Sequence, residues 1–174
     1  EAIKNLARYT ILITAGPTFE DIDPVRFIGN RSSGKMGFAL ADEAASQGAK
    51  VILVAGPVYL PTPNGVERID VRSAQQMHDA VMARVGECHV FIAAAAVADY
   101  RPVQKCLQKI KKSEIAISLE LERTADILAD VAALTHRPNC VVGFAAETER
   151  VEEYALGKLN KKDLDLIAAN DVSN

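Results

Sequence analysis

Short runs of β-branched and other apolar residues alternate with segments of helical periodicity along this chain, and this alternation constrains the fold more than any other feature. Apolar runs of strand length separated by helices are typical of parallel sheets, because a helix carries the chain back to the edge where the next strand begins. The pattern therefore predicts an α/β fold: a Rossmann-like, three-layer parallel sheet with helices on both faces. The predicted strands cover residues 10–14, 51–55, 68–71, 89–93, 141–144 and 164–168.

The predicted helices are placed by apolar spacing and by capping residues. Gly48 ends the first, and Ser73 and Thr124 are expected to cap the second and third. Residues 115–121 (IAISLEL) alternate apolar and polar side chains, which indicates a half-exposed strand within a mobile arm or flap around residues 101–122. The predicted helices cover residues 34–47, 73–84, 125–134 and 151–162.

Charge and cysteine content exclude several classes of protein. A net charge of -3 argues against a protein that coats nucleic acid. The three cysteines form no CxxC pair, which argues against a zinc knuckle or a disulfide framework. The longest apolar runs are too short to cross a bilayer, and the first residues do not resemble a signal peptide. We expect a cytoplasmic protein with no nucleic-acid or membrane partner, and the histidine spacing leaves the identity of any metal ligand unknown.

The connection between the first strand and the first helix is unusually long. It covers residues 15–33, whereas such connections usually take about 2–6 residues. Open α/β sheets bind ligands at the carboxyl ends of their strands, where this loop must lie. Function is therefore expected in this loop.

The end of this loop resembles, but does not match, known phosphate-binding loops. Residues 29–35 (GNRSSGK) fit GxxxxGK, but Met36 replaces the magnesium-binding Ser or Thr of a P-loop. No GxGxxG follows the first strand and no acidic residue ends the second, which disfavours an NAD enzyme. The segment around Ser32, Ser33 and Gly34 opens a helix, so it either binds an anion through free backbone N–H groups or is capped by a serine.

Three further segments carry candidate ligand-binding groups. Four consecutive alanines at residues 93–96 allow close approach to the backbone, although tight packing explains them equally well. Asp99 follows at a strand end, where a carboxylate can meet a hydroxyl or a hydrated metal. The lysines form two groups, one in the irregular segment 105–112 and one on the last helix, where Lys158 and Lys162 share a face.

Taken in order, seven segments resemble the phosphopantothenoylcysteine synthetase family, from about residue 10 to the end. They are ITAGPT at 13–18, DPVR at 23–26, NRSSGKMG at 30–37, AAVADY at 95–100, KIKK at 109–112, GFAAET at 143–148 and AND at 169–171. The resemblance implies that CTP activates the carboxylate of 4'-phosphopantothenate as an acyl-cytidylate, and that the amine of L-cysteine then displaces CMP. It also implies Mg2+ as a cofactor of the triphosphate, a homodimer, and a fused upstream decarboxylase that would bind FMN outside this chain.

The resemblance also assigns roles to individual residues. It implies that Lys109 serves formation of the acyl-cytidylate and that Asn30 serves its conversion to product. The implied acyl-substrate contacts are Asn30, Ser32, Ala95 and Ala96. The implied nucleotide contacts are Asp99, Lys109, Ala125, Asp126, Ile127, Leu128, Phe144, Lys158 and Lys162.

The chain departs from the family pattern at three places. Thr124 and Ala125 stand where the family usually has Asn-Pro, and the link after Lys112 is several residues shorter than expected. The chain also stops before the last strands of the family, so residues 1–174 are interpreted as one synthetase domain truncated at its C-terminus. Two other functions remain as alternatives: an atypical NAD(P)-dependent oxidoreductase and a non-catalytic nucleotide-binding module.

Overall fold

The centre of the fold is a parallel sheet of six strands in the order β10-β9-β6-β1-β4-β5. The computed structural model describes residues 5–112, 117–147 and 151–171. The sheet strands are β1 (Thr10–Ala15), β4 (Lys50–Ala55), β5 (Val66–Asp70), β6 (Val90–Ala93), β9 (Cys140–Glu147) and β10 (Leu166–Asp171). All five neighbouring pairs run parallel, which confirms the α/β fold predicted from the sequence.

Helices cover both faces of the sheet. They are α1 (Lys35–Ser46), α2 (Ala74–Arg84), α3 (Ile127–Ala132) and α4 (Val151–Lys161), with a short 3-10 helix at Val85–Glu87. On one face α1 packs with Ile11, Ile13 and Leu53. On the other face α2 and α3 pack with Leu12, and Leu159 of α4 adjoins the same cluster. Because successive side chains of a strand point to opposite faces, β1 contributes to both cores.

The starts of α2 and α3 confirm one predicted cap and correct the other. Ser73 caps α2, since its hydroxyl accepts the Gln76 N–H at 3.2 Å and the Gln76 side chain reaches back to residue 73. The cap of α3 is Asp126 and not Thr124, and the helix starts two residues later than predicted. Thr124 instead donates its hydroxyl to the Ala98 carbonyl at 2.6 Å.

The start of α1 also differs from a serine-capped helix. Its cap is Gly34, which has a φ of 74° and makes no side-chain cap bond. Ser32 accepts the Gly34 N–H at 3.3 Å, ahead of the first turn. A left-handed backbone at this position favours glycine, because a Cβ would clash with the following carbonyl.

Two small antiparallel ribbons project from the carboxyl end of the sheet. The long first loop contains β2 (Phe19–Asp21) and β3 (Phe27–Gly29), which form a hairpin. The segment between β6 and α3 contains β7 (Tyr100–Pro102) and β8 (Leu121–Arg123), which pair with each other. The predicted strand at 115–121 is wrong over its described part: residues 117–120 are irregular, and only Leu121 belongs to a strand. Residues 113–116 lie outside the described part of the chain.

Within the described ranges, no helix combines the length and the apolar character needed to cross a membrane.

Candidate functional site

A cleft of about 490 Å³ opens at the carboxyl ends of β1, β6 and β9, between the sheet and helices α3 and α4. This is the position at which open α/β sheets bind ligands. Residues from five separate parts of the chain line the cleft: Thr14, Ala93, Ala95, Val97, Asp99, Tyr100, Arg123, Thr124, Ala125, Asp126, Ile127, Leu128, Phe144, Lys158 and Lys162.

The floor of the cleft is the segment that follows β6, and neighbouring threonines hold it in place. The Ala95 N–H donates to the Thr14 hydroxyl at 3.3 Å. The Ala98 N–H donates to the hydroxyl of Thr18, which is fully buried, at 2.9 Å. The small alanine side chains leave this backbone accessible from the cleft, where Ala93 and Ala95 form part of the lining.

The start of α3 and the end of α4 form one wall, where two charged side chains are paired. The Lys162 ammonium lies 2.6 Å from the Asp126 carboxylate. Asp126 also accepts the Ala129 N–H at 3.1 Å, as a helix cap. Partial burial raises the pKa of Asp126, but the bonds from Lys162 and Ala129 outweigh burial, and the pKa is lowered overall. Asp126 is therefore ionised at neutral pH and accepts from both donors.

Lys158 lies one helical turn before Lys162 and turns its ammonium toward β9. It donates to the Phe144 carbonyl at 2.6 Å. Both lysines are half-buried and both line the cleft, as residues four apart on one helix face can. The wall therefore carries two cations, held in place by a carbonyl and a carboxylate.

Asn30 lies at the base of the β2–β3 hairpin, beside the floor of the cleft. Its side-chain amide donates to the Val97 carbonyl at 2.9 Å, and Val97 itself lines the cleft. Ala96 is adjacent in sequence, and it exchanges backbone bonds with the first loop: it donates to Gly16 at 2.9 Å and accepts from Thr18 at 3.3 Å. Asn30 is exposed, so it can still contact a ligand with its free amide hydrogen and its oxygen.

The first loop approaches the sheet so closely that glycine is required at its contacts. A Cβ on Gly56 would lie 1.7 Å from the Pro17 carbonyl oxygen. A Cβ on Gly34, where α1 begins, would lie 3.3 Å from the Cα of Gly16. These contacts set the start of α1 and Ser32 next to the end of β1, although neither Ser32 nor Asn30 is part of the cleft lining.

Lys109 lies away from the cleft lining. It is exposed, and its neighbour Ile110 contacts the tip of the β2–β3 hairpin. The Ile110 N–H donates to the Asp23 carboxylate at 3.1 Å, and its carbonyl accepts from Arg26 at 3.3 Å. The structure thus places Asn30 beside the cleft and Lys109 outside its lining. Nine of the residues singled out from the sequence do line the cleft: Ala95, Asp99, Ala125, Asp126, Ile127, Leu128, Phe144, Lys158 and Lys162.

Sequence reasoning missed several residues that line the cleft. Arg123 ends β8 and adds a third cation to the lining, and Tyr100 adds an exposed ring. Both follow from the pairing of β7 with β8, because Tyr100 lies directly opposite Arg123 in the ribbon. Tyr100 ends the AAVADY segment and could have been found there, whereas Arg123 has no local signal in the sequence.

The cleft suits a metal ion only if a bound ligand supplies most of the atoms that coordinate the metal. No group of three or more His, Cys, Asp or Glu side chains that could hold a metal is found among the described residues. Asp99 is an exposed carboxylate in the lining, and Asp126 is paired with Lys162. Mg2+ in nucleotide sites commonly takes one or two carboxylates plus phosphate oxygens. Asp99 therefore fits a magnesium ion that arrives with a phosphorylated ligand.

Comparisons with known proteins point to one group. Residues 6–174 match the family described as the DNA/pantothenate metabolism flavoprotein C-terminal domain. The chain is 58% identical over 174 residues to the coenzyme A biosynthesis bifunctional protein CoaBC of Vibrio cholerae, covering 99% of this chain and 44% of that protein. It is 54% identical over 175 residues to the protein of the same name from Escherichia coli, covering 98% of this chain and 43% of that protein.

A solved structure is similar as well. It is the C-terminal domain of a coenzyme A biosynthesis bifunctional protein CoaBC, with a TM-score of 0.86 and 47% sequence identity. The match covers 98% of this chain and 80% of the solved chain. This chain spans less than half the length of the two bifunctional relatives described above.

Proposed function

Because the chain belongs to the DNA/pantothenate metabolism flavoprotein C-terminal domain family, we propose that it catalyses the CTP-dependent ligation of 4'-phosphopantothenate with L-cysteine in coenzyme A biosynthesis. The reaction passes through an acyl-cytidylate and gives phosphopantothenoylcysteine. The observation that carries the proposal is the cleft itself. Two lysines, an arginine and the opening turn of α3 line it together with the alanine floor, and Asn30 lies beside that floor.

Electrostatics explain why such a cleft suits two acids. A carboxylate and a triphosphate repel each other because both are negatively charged. Their approach therefore requires cations close to both groups. Lys158, Lys162 and Arg123 supply positive charge around the cleft. The α3 start offers main-chain groups of residues 125–128, which present a fixed pattern of donors and acceptors to a base edge. Asp99, with the phosphates, would hold Mg2+, which offsets the negative charge of the triphosphate.

The first half-reaction joins the two anions. An oxygen of the substrate carboxylate attacks the α-phosphorus of CTP, the bond from that phosphorus to the bridging oxygen breaks, and pyrophosphate leaves. Lys109 is proposed to lower the barrier by placing its ammonium between carboxylate and α-phosphate. It must come from the segment beside the hairpin tip, because it is not part of the cleft lining.

The second half-reaction forms the amide. The amine nitrogen of cysteine attacks the acyl carbon, the carbon–oxygen bond to the phosphate breaks, and CMP leaves as the amine loses a proton. Asn30 is proposed to orient the acyl phosphate and to stabilise the oxyanion with its remaining amide hydrogen. Its bond to the Val97 carbonyl fixes the side chain for that role. Ser32, Ala95 and Ala96 are proposed to contact the acyl substrate.

The partners are proposed on the same basis. A further domain in the same polypeptide would match the bifunctional relatives, of which this chain covers only a part. We propose that it is an upstream flavin-dependent decarboxylase and that the protein is a homodimer, as the family resemblance implies.

An assay of the two half-reactions tests the proposal. The protein is mixed with Mg2+, 4'-phosphopantothenate and either CTP or ATP, and pyrophosphate is measured before and after addition of cysteine. We expect pyrophosphate release with CTP, and CMP and amide only once cysteine is present. NADH or NADPH oxidation without CMP release would favour an oxidoreductase instead.

Two variants separate the proposed roles. Lys109→Ala is expected to stop pyrophosphate release, whereas Asn30→Asp is expected to release pyrophosphate and accumulate the mixed anhydride without forming amide. Equal loss of pyrophosphate release in both variants would contradict this division. CTP binding without turnover in every form, wild type included, would instead identify a non-catalytic nucleotide-binding module.

A further inference from the structure

The buried carboxylate of Asp23 lies at the tip of the β2–β3 hairpin, and its side chain is fully shielded from solvent. Burying an ionised carboxylate is costly unless hydrogen bonds compensate it. Here four donors do so. The N–H groups of Val25 and Arg26 lie 2.8 Å from one oxygen, and the Arg26 guanidinium and the Ile110 N–H lie 3.1 Å from the other.

One of these donors comes from a distant part of the chain. Ile110 is 87 residues from Asp23 in sequence and immediately follows Lys109. Its carbonyl is also held, by the second guanidinium nitrogen of Arg26 at 3.3 Å. Both backbone groups of a single residue are therefore bound at the hairpin tip, which restrains the two peptide groups on either side of its Cα more firmly than one bond would.

The same tip makes two further attachments earlier in the segment. The Cys106 N–H donates to the Ile22 carbonyl at 2.8 Å, and the Lys105 ammonium lies 2.7 Å from the Asp21 carboxylate. The Lys105 side chain is about half exposed, at 55%, so this pair contributes little to the position of the segment. Asp23 thus holds Ile110, which is next to Lys109 in the sequence. Asp21 holds Lys105, which lies four positions before Lys109.

The hairpin that carries Asp23 also ends at Asn30, which is bonded to the floor of the cleft. One short element therefore connects the cleft with the segment that bears Lys109. We propose that Asp23 is a positioning residue, whose carboxylate holds the Ile110 backbone so that Lys109 is presented to the reacting groups. This inference rests on the proposed function, in which Lys109 acts in the first half-reaction.

Asp23→Asn tests the inference with little change in size. Oxygen can still accept from Val25 and Arg26, but the NH2 group then faces the Ile110 N–H, so two donors oppose each other. The matched control is Asp21→Asn, which makes the same change of charge on the same hairpin and leaves the Ile110 contact intact. Both variants are compared with wild type at full length, with thermal unfolding as the measure of folding.

Two measurements are made on each protein. Hydrogen exchange of the Ile110 amide reports the contact directly, and the rate of pyrophosphate release with CTP reports its effect. In Asp23→Asn we expect Ile110 to lose its protection while the β1 and β4 amides keep theirs. We expect kcat for pyrophosphate release to fall by about tenfold or more, as misplacement of a reacting group by about 1 Å can produce, with KM for CTP within about threefold of wild type. In Asp21→Asn we expect protected Ile110 and a kcat within about threefold of wild type.

Three results would overturn the inference. The first is wild-type kcat in Asp23→Asn despite loss of Ile110 protection. The second is reduced kcat with Ile110 still protected, and the third is an equal loss of kcat in the two variants. Absence of CTP-dependent pyrophosphate release from the wild type would instead refute the proposed function, and the exchange data would still report whether Asp23 holds Ile110.

Discussion

Asp21 at the hairpin forms ion pairs with two cations, and these pairs make its contribution to stability depend on pH. Its carboxylate accepts from Arg72 at 2.7 Å and from Lys105 at 2.7 Å, and only 19% of its side chain is exposed. The bond from Arg72 is the largest contribution, and with that from Lys105 it lowers the pKa of Asp21 below its ordinary value of 3.8. A carboxyl with a lowered folded pKa stabilises the fold above its unfolded pKa and loses that contribution as pH falls through the folded value.

We therefore predict that Asp21→Asn lowers the free energy of unfolding at pH 7, and that its difference from wild type shrinks as the pH falls below about 3.8. Urea unfolding at pH 7, 5 and 3 measures the difference. A gap that stays constant over this range would mean that the charge of Asp21 contributes nothing and that only its shape matters.

Lys162 allows a test of the cation wall of the cleft. Its ammonium is paired with Asp126 and lines the cleft, whereas Lys161 is exposed and outside the lining. Hydrogen bonds between a cation and a phosphate contribute about 1.5–3 kcal/mol, so we predict that Lys162→Ala weakens CTP binding by about 10- to 100-fold. Lys161→Ala, the matched control, should bind like wild type. Calorimetric titration with CTP measures both, and equal affinities in the two variants would contradict the assignment.

At the level of residues, the sequence predicts the positions of the α4 lysines but not the position of Arg123 or the contact between Asp23 and Ile110. The spacing of Lys158 and Lys162 predicts a shared helix face, and both side chains do line the cleft. Arg123 could not be found in this way, because its position depends on pairing with Tyr100, which lies 23 positions earlier in the sequence. The contact of Ile110 with Asp23 is equally non-local, since no periodicity relates a hairpin turn to a loop 87 residues away.

At the level of elements, the close packing of α1 against β1 can be tested by substituting a glycine at their contact and measuring stability. A Cβ on Gly37 would lie 2.5 Å from the Cβ of Ala15, so no side chain fits between helix and strand. At the same position on Gly157 in α4, no heavy atom of the described residues lies within 4 Å, apart from its chain neighbours and the nearby backbone of its own helix. We predict that Gly37→Ala destabilises the protein by about 1–3 kcal/mol through overpacking.

Gly157→Ala is the matched control, because it makes the same substitution in another helix. It should stabilise the protein by about 0.5–1 kcal/mol, since alanine has the higher helix propensity and nothing obstructs its methyl group. Denaturant unfolding of both variants measures the two changes. Equal effects of the same sign would show that helix propensity, and not the contact with Ala15, decides the stability at residue 37.

The elements that periodicity predicts well are those with a continuous apolar face. The boundaries of β1 and α2 agree with the prediction to within about one residue, and Ser73 caps α2 as expected. The third helix is shorter than predicted, because Asp126 rather than Thr124 bonds its first turn. Alternation at residues 115–121 predicts a strand, but residues 117–120 lie exposed and belong to no strand, because alternation alone does not supply a paired neighbour.

At the level of the whole molecule, chain direction explains why the site forms where it does. From β1 the chain crosses through α1 to β4 and β5, and α2 then returns it to β6 on the other side of β1. The strand order therefore reverses at β1, and the loops that leave β1 and β6 are bonded to each other there through Ala96. Ligand sites in open α/β sheets lie at such a reversal. Here the loop after β1 supplies Asn30, and the loop after β6 supplies the alanine floor. The helices on either side of β9 in the sequence, α3 and α4, form the wall of the cleft.

A ligand in this cleft would contact the β6 loop, α3 and α4 together, so its binding should stabilise the fold as a whole. A ligand that binds only the folded state adds RT ln(1 + [L]/Kd), which is about 2.7 kcal/mol at one hundred times Kd. We predict that CTP with Mg2+ raises Tm in proportion to this term, and that ATP and NADH raise it less at equal concentration, because the main chain at the start of α3 presents one pattern to the base. Scanning calorimetry with each nucleotide measures the shifts. Lys162→Ala should reduce the CTP shift and Lys161→Ala should not. Equal shifts for CTP and ATP would show that the cations bind phosphate without any selection by α3, and a shift with NADH alone would place the protein among the oxidoreductases.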